Sequence, residues 1–221
     1  MSNPGRRILY VPGIRAKPEP DLHLGVLRKC VLEGIRRADP VTAGVMAGLP
    51  DCLRLVPWGH LFYSEYRNLS LDAAGIDSLL ADPAPARTTI GEIFGSKRRL
   101  AYLLHRLGDR APLLIDWLAD VDTRINIDDS LRYFANRDGI ADRIRALLVA
   151  ELQSAWAAGD RVLLMAHSLG SVIAWDTLWD LSHATQPAPL NGGVDLFLTL
   201  GSPLGTRFVR RRLSGAQASG A

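Results

Sequence analysis

The sequence predicts an α/β protein built on a mainly parallel sheet of about four strands, with flanking helices and a helical cap insert. Three observations carry this. Short apolar runs recur at residues 8–11, 52–57, 161–166 and 194–200, and the first and last stop at Pro12-Gly13 and Gly201-Ser202-Pro203. Segments with apolar residues at helical spacing separate them. The run RVLLMA at 161–166 is apolar almost throughout, as in a strand covered on both faces.

Residues 8–11 read as a buried strand ending in a loop. Residues 22–37 carry Leu24, Leu27, Val31, Leu32 and Ile35 between charges, a helical pattern. CLRLVP at 52–57 is the second strand, followed by the aromatic group Trp58, Phe62, Tyr63 and Tyr66, read as packing residues. Residues 69–138 form the interrupted helical insert: Pro83 and Pro85 break one segment, and 100–107 and 112–120 make others. Residues 140–157 are an amphipathic helix stopped by Gly159-Asp160. The strand at 161–166, a helix over 169–181, a Pro/Gly/Asn loop at 186–193 and a strand at 194–200 complete the alternation.

A chain of 221 residues with 48% hydrophobic and 22% charged residues is long enough for one sizeable core and is read as a single domain. The formal charge of +3 is local. Arg207, Arg210, Arg211 and Arg212 account for four of the 26 basic residues, leaving 22 against 23 acids elsewhere. That balance argues against a nucleic-acid partner, which would require a basic face with interleaved aromatics. The arginine group reads as a solvated helix face, or as a weak contact with an anionic membrane surface. No apolar run approaches membrane-spanning length. Cys30 and Cys52 lack metal-type spacing and fit reduced thiols, so a cytoplasmic location is expected. No cofactor or metal is expected: Asp116, Asp120, Asp122, Asp128 and Asp129 lack ligand spacing and read as a solvated surface.

The chemistry concentrates in RVLLMAHSLGSVIAWDTL at 161–178, which puts Ser168 between an apolar strand and a helix. A nucleophile elbow holds its serine in a strained turn there, and needs small residues two positions either side. Ala166 and Gly170 occupy those positions, Ala166 departing from the usual glycine. The amide of Leu169 is the expected first oxyanion donor. The Pro12-Gly13-Ile14 turn should supply the second from the Ile14 amide, with Gly13 permitting close approach. His167 adjoins the nucleophile, so it is expected to pack or line the rim rather than act as base.

AHSLGSVIAWDTL followed by LFLTLGSPLG resembles bacterial α/β-hydrolases related to the DDHD-type phospholipases. The resemblance is specific over residues 162–205. It implies a partial α/β-hydrolase fold and hydrolysis of small-molecule or lipid carboxylic esters through an acyl-enzyme on Ser168, with residues 69–138 capping the acyl pocket. In that fold an acid and a histidine follow the serine on later strand-end loops. Residues 204–221 contain no Asp, Glu or His, so the chain reads as lacking the final strands after residue 205. Asp195 precedes the last strand, and Asp176, Asp180 and His183 fall on or past the elbow helix. His23 and His105 read as surface or cap residues. His60 reads either as an exposed loop residue or as a base, since it follows the strand ending near Pro57. Two functions stay open: a serine esterase, and a non-catalytic module that keeps the hydrolase pocket.

Overall fold

The computed structural model describes residues 5–82, 121–183 and 192–216. Four strands, β1 (Arg6–Val11), β2 (Leu53–Leu55), β3 (Arg161–His167) and β4 (Leu196–Leu200), form one sheet in the order β2-β1-β3-β4. Every neighbouring pair is parallel, with Leu9 opposite Leu164 and Met165 opposite Leu198. Around it lie α1 (Pro20–Ala38), α2 (Pro40–Ala47), α3 (Ser70–Ala81), α4 (Val121–Ala135), α5 (Ile140–Ala157), α6 (Leu169–His183) and α7 (Arg207–Arg210).

Alternation along the central strands decides which helix covers which face. Leu9, Val11, Val162, Leu164 and Ala166 are wholly buried and share a core with Ile144, Leu148 and Leu152 of α5 and Val172 and Ile173 of α6. Burying a side chain of that size stabilises by about 1.5–3 kcal/mol, so this layer is the main source of stability. Ile8 and Tyr10 point the other way, toward a second cluster of Met46, Cys52 and Leu53 under the apolar stripe of α1. The strand beginnings are tied by charge: Arg7 reaches Asp160 at 2.6 Å and Arg161 reaches Asp195 at 2.8 Å.

The differences from the sequence reading have local causes. β1 begins at Arg6 because Arg6 continues the ladder with Arg161. β2 is only three residues long, since Pro50–Cys52 forms a 3₁₀ turn before it and Trp58–Leu61 another after it. The helix α2 was not expected. Its Gly44 and Gly48 look loop-like, but Asp39 caps it, accepting from the Val41 and Thr42 amides, and Pro40 starts its first turn. In the insert, α3 stops at Asp82, ahead of Pro83, while the segments 100–107 and 112–120 lie outside the described residues. β4 forms one edge of the sheet, and Leu196, Leu198 and Leu200 on it are 57%, 40% and 41% exposed.

Candidate active site

Ser168 occupies the one-residue hinge between β3 and α6, with φ of 51°. A non-glycine residue in the left-handed region costs about 1–2 kcal/mol, so its neighbours must hold it there. Its N–H donates to Leu200 O at 2.9 Å, and its carbonyl accepts from the Ser171 N–H at 2.9 Å and the Ser171 hydroxyl at 2.6 Å. The side chain is half-buried. Among the described residues its hydroxyl has no hydrogen-bond partner.

Glycine is required on both sides of this hinge. A Cβ on Gly170 would stand 2.3 Å from Val11 O and 2.6 Å from Pro12 O, so α6 meets the end of β1 at backbone contact. A Cβ on Gly13 would stand 2.8 Å from His167 Nδ1 and 2.9 Å from Ser168 Cβ. Ala166 is buried and pairs with Val11 and Thr199, which shows that a methyl group fits at that position. The turn after β1 is clamped from outside by buried Trp58, whose Nε1–H donates to Pro12 O at 2.9 Å. Lys17 closes it from the other side by donating to Ile14 O at 2.7 Å. The structure therefore brings Gly13, Ile14, His167, Ser168, Leu169 and Gly170 to one sheet edge. As the first residue of α6, Leu169 has an N–H with no acceptor within the helix, at the positive end of the helix dipole.

The charged surroundings are basic. Burial, then repulsion by Arg15 and Arg67, lowers the Lys17 ammonium to about 8. Burial and the Lys17 charge likewise lower the His167 imidazole. His23 is half-buried: it lies edge-on to Tyr10 with ring centroids 6.4 Å apart, and burial and Lys17 bring it down to about 4. With Lys17, His60 and Tyr63 it lines a small cleft beside Pro12.

His60 sits on the turn after β2, exposed, with its Nδ1–H donating to Pro57 O at 2.6 Å. The sheet order puts β1 between it and Ser168, so the two strand ends are separated by two strand spacings, about 10 Å. Asp195 lies at the far end of the sheet, accepting from the Val162 N–H, and the Arg161 guanidinium holds its carboxyl below the usual range. Asp176 is buried away from the hinge. It accepts from Tyr133 Oη at 3.1 Å and from the Ser214 N–H at 2.7 Å, which ties α4 and the segment after α7 to α6. Asp180 pairs with Arg145, and the His183 ring stacks on Trp179. His105 lies outside the described residues. Asp129 accepts from the Tyr63 hydroxyl and so is not simply solvated. Among the described residues no His, Cys, Asp or Glu group could hold a metal ion. No helix among them is long and apolar enough to cross a membrane.

Three contributors were not read from the sequence: the Trp58 clamp, the Lys17 contact and the Ser171 hydroxyl. Each depends on a tertiary contact, and only Ser171, three residues after Ser168 at helical spacing, left a trace there.

The parallel sheet with flanking helices and a helical insert is of a general α/β-hydrolase-like kind. In comparisons with family models, curated proteins and solved structures, none matches the chain.

Proposed function

We propose that this chain is a serine hydrolase of carboxylic esters that acts through an acyl-enzyme on Ser168. The observation that carries the reading is the left-handed backbone of Ser168 at a strand–helix turn where Gly170 meets the end of β1 at backbone contact and Gly13 lets the turn after β1 approach His167 and Ser168. A strained residue persists only where its surroundings over-determine it, and such residues cluster at functional sites. In the reaction Ser168 Oγ adds to the ester carbonyl and loses its proton to a base. The oxyanion takes hydrogen bonds from the Leu169 and Ile14 amides. Collapse breaks the ester C–O bond, the alcohol leaves with the proton, and water then releases the acid and restores Ser168. No step needs a metal or cofactor.

His60 is the base the sequence suggested, and proton transfer to it needs the turn after β2 to come within hydrogen-bond reach of Ser168 from about 10 Å away. Donation from Nδ1 to Pro57 O orients the ring and leaves Nε2 as the nitrogen not engaged by the backbone. The substrate class is a small-molecule or lipid ester, in keeping with the resemblance to DDHD-type hydrolases, with the insert at 69–138 shaping the acyl pocket. Arg207, Arg210, Arg211 and Arg212 are all exposed, which suits a weak contact with an anionic membrane surface. The two free cysteines suit the cytoplasm.

A second reading, a non-catalytic module that keeps the pocket, is favoured by one observation. Among the described residues neither a histidine nor a carboxylate is hydrogen-bonded to the Ser168 hydroxyl. Hydrolysis of p-nitrophenyl esters of two to twelve acyl carbons, by the chain and by Ser168→Ala, separates the two. The enzyme reading expects turnover that depends on chain length and is lost in the variant. Equal rates for both proteins favour the module.

A further inference from the structure

The Ser168 carbonyl and the Leu169 N–H belong to one peptide plane. Whatever fixes the direction of that carbonyl therefore also fixes the aim of the amide on its opposite side. Ser171, wholly buried, donates its single hydroxyl proton to Ser168 O at 2.6 Å. Its oxygen lies 2.7 Å from Ser202 Oγ. With the Ser171 proton already committed, Ser202 must be the donor of that bond. Ser202 Oγ in turn accepts from the Leu204 N–H at 3.2 Å. The result is a directed chain, Leu204 N–H to Ser202, Ser202 to Ser171, Ser171 to the Ser168 carbonyl, running from the turn after β4 into the hinge. Each hydroxyl gives one hydrogen bond and takes one. At Ser171 no water can stand in.

We infer that Ser171 and Ser202 are positioning residues: their hydroxyl chain locks the Ser168–Leu169 peptide plane so that the Leu169 N–H faces the oxyanion. The inference rests on the hydrolase reading above. Hydrogen bonds in series polarise one another, so a proton donated to the carbonyl also makes the N–H of the same peptide a better donor. The chain explains why the turn after β4 matters to a hinge on β3. The N–H of Ser168 is held by Leu200 O and its carbonyl by the relay from Ser202, both from the end of β4. Leu200 and Ser202 flank Gly201, whose φ of 54° turns the chain between these two contacts.

The test compares Ser171→Ala, Ser202→Ala and Ser202→Thr, the last retaining a hydroxyl. Two quantities are read for each: the amide ¹H shift of Leu169, and the second-order rate of Ser168 labelling by a fluorophosphonate. Both alanine variants should move the Leu169 proton upfield by more than any other amide of α6. Losing one aligned hydrogen bond to the hinge should slow labelling about tenfold in Ser171→Ala. The more distant Ser202→Ala should slow it about threefold while lowering the melting temperature by only about 3 °C, and Ser202→Thr should label at the wild-type rate. If Ser171→Ala does not fold, Ser202→Ala and its threonine rescue decide alone. Wild-type labelling rates in the alanine variants, or an unmoved Leu169 proton, would overturn the inference. Absence of labelling in the wild type overturns the hydrolase reading instead and removes the catalytic meaning of the relay, while the Leu169 shift still shows whether the chain of hydroxyls exists.

Discussion

Replacing Gly170 by Ala puts a methyl carbon 2.3 Å from Val11 O and 2.6 Å from Pro12 O, where ordinary contact begins at 3.4 Å. Both obstacles are backbone oxygens. Val11 belongs to a central strand and Pro12 O is held by the Trp58 indole, so neither can rotate away. The overlap must be relieved by moving α6 from β1 or by bending the turn at Gly13. Overpacking of this kind costs about 1–3 kcal/mol, and rigid backbone places it at the upper end. Against it stands the helix-propensity gain of Gly→Ala, about 1 kcal/mol. The net expectation is a loss of about 2 kcal/mol, which for a chain of this size lowers the melting temperature by about 6 °C. Gly75→Ala is the control. It lies in α3 with nothing within 4 Å of its added carbon, so only the propensity gain remains, up to about 1 kcal/mol. Urea unfolding of the three proteins side by side gives the answer. A Gly170→Ala protein as stable as wild type, or stabilised as much as Gly75→Ala, would refute the claim that α6 and the turn after β1 meet at backbone contact.

Three further predictions concern charge. Asp160 and Arg7 are 11% and 16% exposed, so Asp160→Ala leaves a nearly buried guanidinium unpaired and should cost about 2–3 kcal/mol in urea unfolding. His23 has its folded-state value lowered from 6.5 to about 4, so the unfolded chain binds the extra proton first; stability should fall as pH drops from 6.5 toward 4, and His23→Gln should lose part of that slope in a pH series of unfolding midpoints. For Asp176 burial wins over its hydrogen bonds and raises the carboxyl, so the folded state keeps a proton that the unfolded state releases. Stability should decline as pH rises from the unfolded toward the folded value, and Asp176→Asn should remove that decline in the same measurement.

Where one rule acted alone, the sequence was readable. Ile140–Ala157 was read at its observed bounds because its amphipathic period meets a Gly159 stop with φ of 73°. β3 was legible as an apolar run, although only its Val162, Leu164 and Ala166 face is wholly buried while Leu163 and Met165 are half-buried. The close approach at Gly170 was also legible, since a small residue two positions after Ser168 reports a backbone contact that a side chain would block. Most of what escaped has in common that one tertiary partner decides it. His23 lies on a helix of ordinary pattern and is half-buried because Tyr10 and the cleft receive it. α2 escaped for a local reason instead: Gly44 within it and Gly48 after it mask a helix that the Asp39 cap and Pro40 start. The Ser171–Ser202 bond links residues 31 apart in sequence, and no local spacing encodes that.

The central claim is that Ser168 is a nucleophile, and covalent trapping tests it most directly. The chain and its Ser168→Ala variant would be incubated with a fluorophosphonate, then weighed intact and mapped by peptide mass. A nucleophilic Ser168 gives a single phosphonyl adduct, formed with loss of fluoride, on the peptide containing it and none on the variant. An unmodified folded chain, or equal labelling of both proteins at another residue, would contradict it.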